Sequence, residues 1–221
     1  MIKVLIVDDH ELVRVGIRKL LQEFKEIEVV GDSQSGEDAV AIARDLKPDV
    51  VLMDVKMPGI GGLEATKRIL RMNPQLKIIV VTACFEEPFP SRLLQAGACG
   101  YITKSASPEE VISAIKKVHQ GQRYISPEIA QQLALRTLIA PEDTPFDRLS
   151  ERELQVLLMI TNGATVNDIA EKLCISIKTV HSYRYRLFEK LAVQNDVELT
   201  RLAIRHGMGD GDENSLDDSI H

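Results

Sequence analysis

Tryptophan is missing from this chain, and aromatic residues make up only 4% of it. Its cores must therefore be built from aliphatic side chains on strands and helix faces. Cysteine is scarce: Cys84, Cys99 and Cys174 are odd in number and lack metal-ligand spacing. That argues against a disulfide framework or a thiolate metal site, and for a reduced, cytoplasmic chain. No apolar run approaches the roughly 18–20 residues of a membrane span, so no membrane partner is expected. The sequence does not open on a basic stretch followed by an apolar one, so no signal peptide is expected either.

Acidic side chains outnumber basic ones by 33 to 27, and the net charge of −6 looks wrong for a nucleic-acid binder. Its distribution changes the reading. Residues 1–120 carry 16 basic and 17 acidic side chains, and residues 121–147 carry 2 and 4. Residues 148–208 carry 9 and 7, and residues 209–221 carry 0 and 5. The acidity lies mostly in the tail, and the segment before it is the net-basic one.

What is present is alternation. Apolar runs at 2–7, 28–31, 49–53, "LKIIVVTA" to Thr82, and 99–103 read as strands. Between and after them, Glu11–Phe24, the segment beyond Ser35, Gly62–Met72, Glu86–Ala96 and Pro108–His119 carry helical periodicity. Ser35 and Ser107 stand where helix caps belong. Five strands alternating with five helices predict a doubly wound parallel sheet covered on both faces. In such sheets sites lie beyond the carboxyl ends of the strands. Residues 126–138 read as a further helix, and "IAPEDTPFD" (139–147) as a linker. A second, all-helical unit follows, with a capping box at Ser150 and Glu153 and helices at Val166–Leu173, Ser176–Leu191 and Asp196–His206. Residues 209–221 have no core-forming pattern and are expected to be disordered.

Asp8, Asp9, Asp54, Thr82 and Lys104 all fall at or just after strand ends, on different strands. Carboxylates gathered there need a cation or a raised pKa. Mg²⁺ suits them, since it takes a few carboxylates with waters and phosphate oxygens. Asp9 is then the main acidic ligand, Asp8 helps directly or through water, and Asp54 completes the set. Asp54 has a second possible role, as a nucleophile that becomes an acyl phosphate. Lys104 would supply positive charge to the transferring group, and Thr82 a hydroxyl to a phosphate oxygen. Pro58 and Gly59 would shape the adjoining loop. A rival reading is a phosphatase with an aspartyl nucleophile. Such an enzyme needs a second acid two residues on, where this chain has Lys56.

The stretches "VLIVDDHELVR", "PDVVLMDVKMPGIGGLEATKRI", "VVTA" and "GYITK" resemble the receiver domain of two-component response regulators, over about residues 2–120. The resemblance implies a CheY-like fold, with Asp54 as phosphoacceptor and a sensor histidine kinase as donor. It also implies Asp8, Asp9, Asp54 and the main-chain carbonyl of Lys56 around Mg²⁺, Thr82 and Tyr101 as a switch pair, and Lys104 as the phosphate-binding lysine. The chain would then be a switch rather than an enzyme.

In the second unit, "TVNDIAEKLCISIKTVHSYRYRLFEKL" has the rhythm of a helix-turn-helix at about 167–186. Helical spacing puts Val180, Leu187 and Leu191 on the core side. Lys178, His181, Ser182 and Tyr185 fall opposite, as the face for a major groove. Thr179, Arg184, Arg186 and Lys190 are placed for phosphate contacts. Residues 148–208 resemble the LuxR-type output of NarL/FixJ regulators. Through "GQRYISPEIAQQLAL" and "DVELTRLAIRHGM" the chain resembles the GacA/UvrY/SirA group within that family. That resemblance implies a BarA/GacS-like kinase and promoters of small regulatory RNAs. Phosphorylation is expected either to release the DNA-binding unit or to favour a homodimer, and dimers suit an operator of two half-sites. The expected organisation is thus a receiver (1–120), a helix and linker (121–147), a DNA-binding domain (148–208) and an acidic tail (209–221).

Overall fold

The apolar run at the start of the chain becomes β1 (Ile2–Val7), whose Val4, Leu5, Ile6 and Val7 are all buried. In this computed structural model it is followed by α1 (Glu11–Gln22), β2 (Ile27–Ser33), α2 (Gly36–Leu46), β3 (Val50–Asp54) and α3 (Gly61–Met72). Then come β4 (Lys77–Thr82), α4 (Phe89–Gln95), β5 (Gly100–Thr103) and α5 (Pro108–His119). The structure describes residues 1–57, 59–82, 89–138 and 145–206. The expected loop residue Pro58, the start of the helix expected at Glu86 and the tail 209–221 lie outside them.

All strands pair in parallel, in the order β2-β1-β3-β4-β5, with a further strand, β6 (Tyr124–Ile125), beyond β5. The order reverses between β1 and β3, which opens a crevice at their carboxyl ends. β3 is central and every one of its residues is buried. This is why "VVLMD" reads as an unbroken apolar run rather than an alternating one. Ser35 caps α2 by accepting from the Asp38 amide, and Ser107 caps α5 through Glu110. Gly62 lets α3 start hard against β3, since a Cβ there would sit 1.9 Å from the Asp54 carbonyl oxygen.

The sequence reading placed five strands in this sheet, and a sixth is present. β6 (Tyr124–Ile125) pairs with β5 at Gly100 and Tyr101 and leads into α6 (Pro127–Leu138). Two residues cannot display an alternation, so periodicity did not reveal it. The expected linker is also partly structured. Pro145–Arg148 forms a 3₁₀ turn, Phe146 is fully buried, and its carbonyl accepts from Arg92 Nη2 at 3.2 Å. A single aromatic anchor leaves no periodic trace.

The chain divides into two units, Met1–Asp147 and Arg148–His221. The second holds α7 (Glu151–Thr161), α8 (Val166–Leu173), α9 (Ile177–Leu191) and α10 (Asp196–Arg205). The capping box at Ser150 and Glu153 is present, and Thr165 with Asp168 forms another at α8. Cys174 ends α8 in the left-handed region, at φ 54°, and Ser176 then caps α9. α7 packs against α9 and α10, and α8 against α9. Leu154, Leu157, Ile169, Val180, Leu187 and Leu199 are fully buried in this unit.

Candidate functional site

The sheet brings the strand-end residues together. Asp54 ends β3 and Asp8 follows β1; both are 2% exposed. Lys104 follows β5, held by its amide donating to the Thr82 carbonyl at 2.8 Å. Its ammonium lies 2.7 Å from Asp8 Oδ2 and 2.9 Å from Asp54 Oδ2. The other Asp54 oxygen accepts from the Val55 amide at 2.7 Å. Thr82, the last residue of β4, is buried, and Tyr101 is fully buried within β5. Lys56 is half-buried in the loop after Asp54.

Lys104 faces two buried carboxylates, Asp8 and Asp54. Burial pushes the Asp54 carboxyl up, and Asp8 adds to this, against the opposing pull of Lys104; the result is a pKa of about 6. Burial alone would lower the Lys104 ammonium, but Asp54 and Asp8 hold it above the ordinary lysine value. Asp9 Oδ1 is buried without a hydrogen-bond donor. His10 Nδ1 lies 2.9 Å from it but outside hydrogen-bond geometry. Ligand atoms of Asp8, Asp9, His10 and Asp54 all lie within 4.8 Å of one another. A buried carboxylate oxygen with no donor, among hard oxygen atoms and excess negative charge, fits a hard divalent cation.

His10 was not among the expected residues, although "DDH" places it beside the acids. Its amide donates to Asp8 Oδ1 at 2.9 Å and so orients that carboxylate.

In the second unit, α9 sorts its residues as helical spacing predicts. Val180, Leu187 and Leu191 are buried. Lys178, His181 and Ser182 are exposed, and Tyr185 is 73% exposed. Arg186 is exposed and makes no ion pair among the described residues. Thr179 is half-buried, with its hydroxyl 2.8 Å from Ser176 Oγ.

Arg184 and Lys190, expected to contact phosphates, both have partners within this unit. Arg184 forks onto Asp196, with Nε 3.1 Å from Oδ1 and Nη2 2.5 Å from Oδ2. Lys190 meets the buried Glu153 at 2.7 Å and the Arg148 carbonyl at 3.2 Å. Burial would raise the Glu153 carboxyl, yet Lys190 and Ser150 hold it below the usual range. Both cations flank the apolar side of α9, close enough for acids on α10 and α7 to claim them.

Residues 4–116 match the family model described as response regulator receiver domain, and residues 147–203 match bacterial regulatory proteins, luxR family. The chain is 61% identical to the response regulator GacA of Pseudomonas aeruginosa, over 95% of this chain and 99% of that one. The chain belongs to the two-component response regulators. It is also 59% identical to the response regulator UvrY of Escherichia coli, over 94% of this chain and 96% of that one. A solved structure of RcsB from Salmonella enterica, bound to promoter rprA in the presence of phosphomimetic BeF3⁻, is similar as well. It shares 29% identity and a TM-score of 0.70, over 91% of this chain and 98% of that one. As a response regulator of the GacA and UvrY type, the chain is a phosphorylation-dependent DNA-binding transcription factor rather than an enzyme. Among the described residues, no helix is long and apolar enough to cross a membrane.

Proposed function

We propose that Asp54 is the phosphoacceptor and that its phosphorylation governs DNA binding by α9. The observation that carries this is the setting of Asp54: buried at the end of the central strand, with Lys104 Nζ 2.9 Å away. An Asp54 carboxylate oxygen attacks the phosphorus of a kinase phosphohistidine. The P–N bond breaks, the imidazole leaves with its electron pair, and an acyl phosphate forms. Lys104 meets the charge on the transferred group. Asp8, Asp9, Asp54 and the main-chain carbonyl of Lys56 are the residues assigned to Mg²⁺. The ion, when bound, neutralises phosphoryl oxygens.

The added charge of about −1.5 to −2 draws on Lys104 and Thr82, and Thr82 with Tyr101 forms the switch pair. Switching shifts a two-state equilibrium that either releases the DNA-binding unit or favours a dimer, and a dimer suits paired half-sites. Residues 1–120 are assigned to the receiver, 121–147 to the connecting helix and linker, and 148–208 to the DNA-binding domain. Lys178, His181, Ser182 and Tyr185 read base edges, while Thr179 and Arg186 meet phosphates. The likeness to GacA and UvrY supports a BarA/GacS-like kinase as donor. It also supports small regulatory RNA promoters as targets and the cytoplasm as the location.

The test is phosphate labelling by acetyl phosphate or a kinase. Asp54→Ala abolishes it, and stoichiometric hydroxylamine-sensitive label on the variant would overturn the assignment. Asp9→Asn should need far more Mg²⁺; uptake at the wild-type rate and Mg²⁺ concentration would remove Asp9 from the metal site.

A further inference from the structure

Helix α1 starts directly behind the acid pair, yet its N-cap residue, His10, makes no side-chain cap bond. The turn bearing Asp8 and Asp9 is fastened from one helical turn further on. Arg14, whose side chain is 13% exposed, reaches back toward β1. Its Nη1 donates to the Asp8 carbonyl oxygen at 2.8 Å and to the Asp9 carbonyl oxygen at 3.2 Å. Its Nε donates to Asp32 Oδ2 at 3.1 Å, and Arg18 pairs with the other Asp32 oxygen. Asp32 lies on β2, in register with Ile6 of β1. One guanidinium therefore ties the backbone of both acids to the neighbouring strand. A lysine ammonium cannot make that planar fork.

Backbone position passes directly to carboxylate direction here. The His10 amide, next along the same turn, is the donor that orients Asp8 Oδ1. Without a fastening, the mutually repelling carboxylates of Asp8, Asp9 and Asp54, whose ligand atoms lie within 4.8 Å of one another, would spread apart.

We infer that Arg14 is a positioning residue for the divalent-cation pocket, fixing the Asp8–Asp9 turn through its two carbonyls while Asp32 fixes Arg14. The inference rests on the reading of that pocket as the Mg²⁺ site. Electrostatics alone makes the opposite forecast, which gives the proposal a decisive sign. Removing a cation near the pocket should strengthen Mg²⁺ binding by Coulomb's law. A loss of affinity is therefore the signature of positioning.

The experiment is calorimetric titration of Mg²⁺ into the full-length, unphosphorylated protein. Arg14→Ala should weaken binding about tenfold, in the range known for partners that orient metal ligands. Arg14→Lys should fall between it and the wild type, and Asp32→Asn should weaken binding by a smaller factor. In acetyl phosphate labelling, the Mg²⁺ concentration for half-maximal rate should rise by the same factor, with the rate at saturating Mg²⁺ retained. Arg14 variants that bind Mg²⁺ as tightly as the wild type, or more tightly, overturn the inference, and a lowered Tm with unchanged affinity does the same. If Arg14→Ala does not fold, Arg14→Lys and Asp32→Asn decide the question. Absence of Mg²⁺ binding by the wild type would instead defeat the metal reading beneath it.

Discussion

The carboxyl end of the receiver sheet and the outer face of α9 both gather polar side chains, but they hold them in opposite ways. At the sheet, Asp8, Asp54 and Lys104 are drawn out of water and set against one another. On α9, Lys178, His181, Ser182 and Tyr185 stand in solvent over an apolar side that is fully packed. The first arrangement pays in stability for groups already placed for chemistry. The second leaves its groups free, so their contribution waits for a partner. Under the proposed function, a site for a small ion and a phosphoryl group is built entirely within one sheet, whereas a face for a duplex must stay open.

The largest expected effect tests the packed side of α9. Val180 is fully buried, so Val180→Asp places an unpaired charge in the small core of the second unit. We expect a cost of about 4 kcal/mol or more. The helical circular dichroism of that unit and all DNA binding should be lost, with phosphate labelling of the receiver retained. A folded variant with normal binding would mean that α9 is rotated from the orientation described.

The next effect tests the stability cost at the sheet. Burial raises the Asp54 carboxyl from its ordinary 3.8 to about 6. An acid with a folded pKa above its unfolded one holds its proton more tightly in the folded state. Stability therefore falls as pH rises from about 4 to about 6, and stays reduced above that. The displacement is worth roughly 3 kcal/mol at most. Asp54→Asn should thus stabilise the receiver by about 2 kcal/mol at pH 7.5 without Mg²⁺, with Lys104 still paired to Asp8. The gain should shrink toward pH 4. Denaturant unfolding at the two pH values measures it. A variant less stable than the wild type at pH 7.5 would mean that the Asp54–Lys104 pair outweighs the burial cost.

Local signals and long-range partners were not equally legible in the sequence. Strand ends, helix caps and the two faces of α9 follow from spacing, because a strand repeats every 2 residues and a helix every 3.6. Asp8, Asp54 and Lys104 were found because each ends or follows its own apolar run, and the parallel topology does the rest. The partners of Arg184, Lys190 and Arg14 were not legible. Lys190 and Glu153 lie 37 positions apart, and Arg14 and Asp32 lie 18 apart. No periodicity relates charges across separate elements, so a basic residue reads as available until an acid is seen beside it. β6 and the 3₁₀ turn escaped for a related reason: each is shorter than the pattern that would reveal it.

On the open face, effects are smaller and specific. Tyr185→Ala or His181→Ala should reduce discrimination between operator and random DNA by about 1–3 kcal/mol per direct base contact. Neither should alter folding, since both side chains are exposed. Tyr185→Ala weakening both DNAs equally would move base reading elsewhere on α9.

The smallest effect separates two arginines that the sequence could not tell apart. Arg186 is exposed without an ion pair among the described residues, whereas Arg184 is forked onto Asp196. Arg186→Ala should weaken operator and random DNA alike, and lower the slope of log affinity against log salt by about one. Arg184→Ala should leave that slope unchanged, because a cation already neutralised by a carboxylate releases no counterion when DNA arrives. Its cost should appear in folding instead, at about 0.5–1 kcal/mol, since the pair is partly exposed and screened. A binding series across salt, with thermal unfolding of each variant, measures both quantities. If Arg184→Ala lowered the salt slope as Arg186→Ala does, its guanidinium would have to leave Asp196 for phosphate on binding. The contrast between a pre-paired site and an open face would then fail on α9 itself.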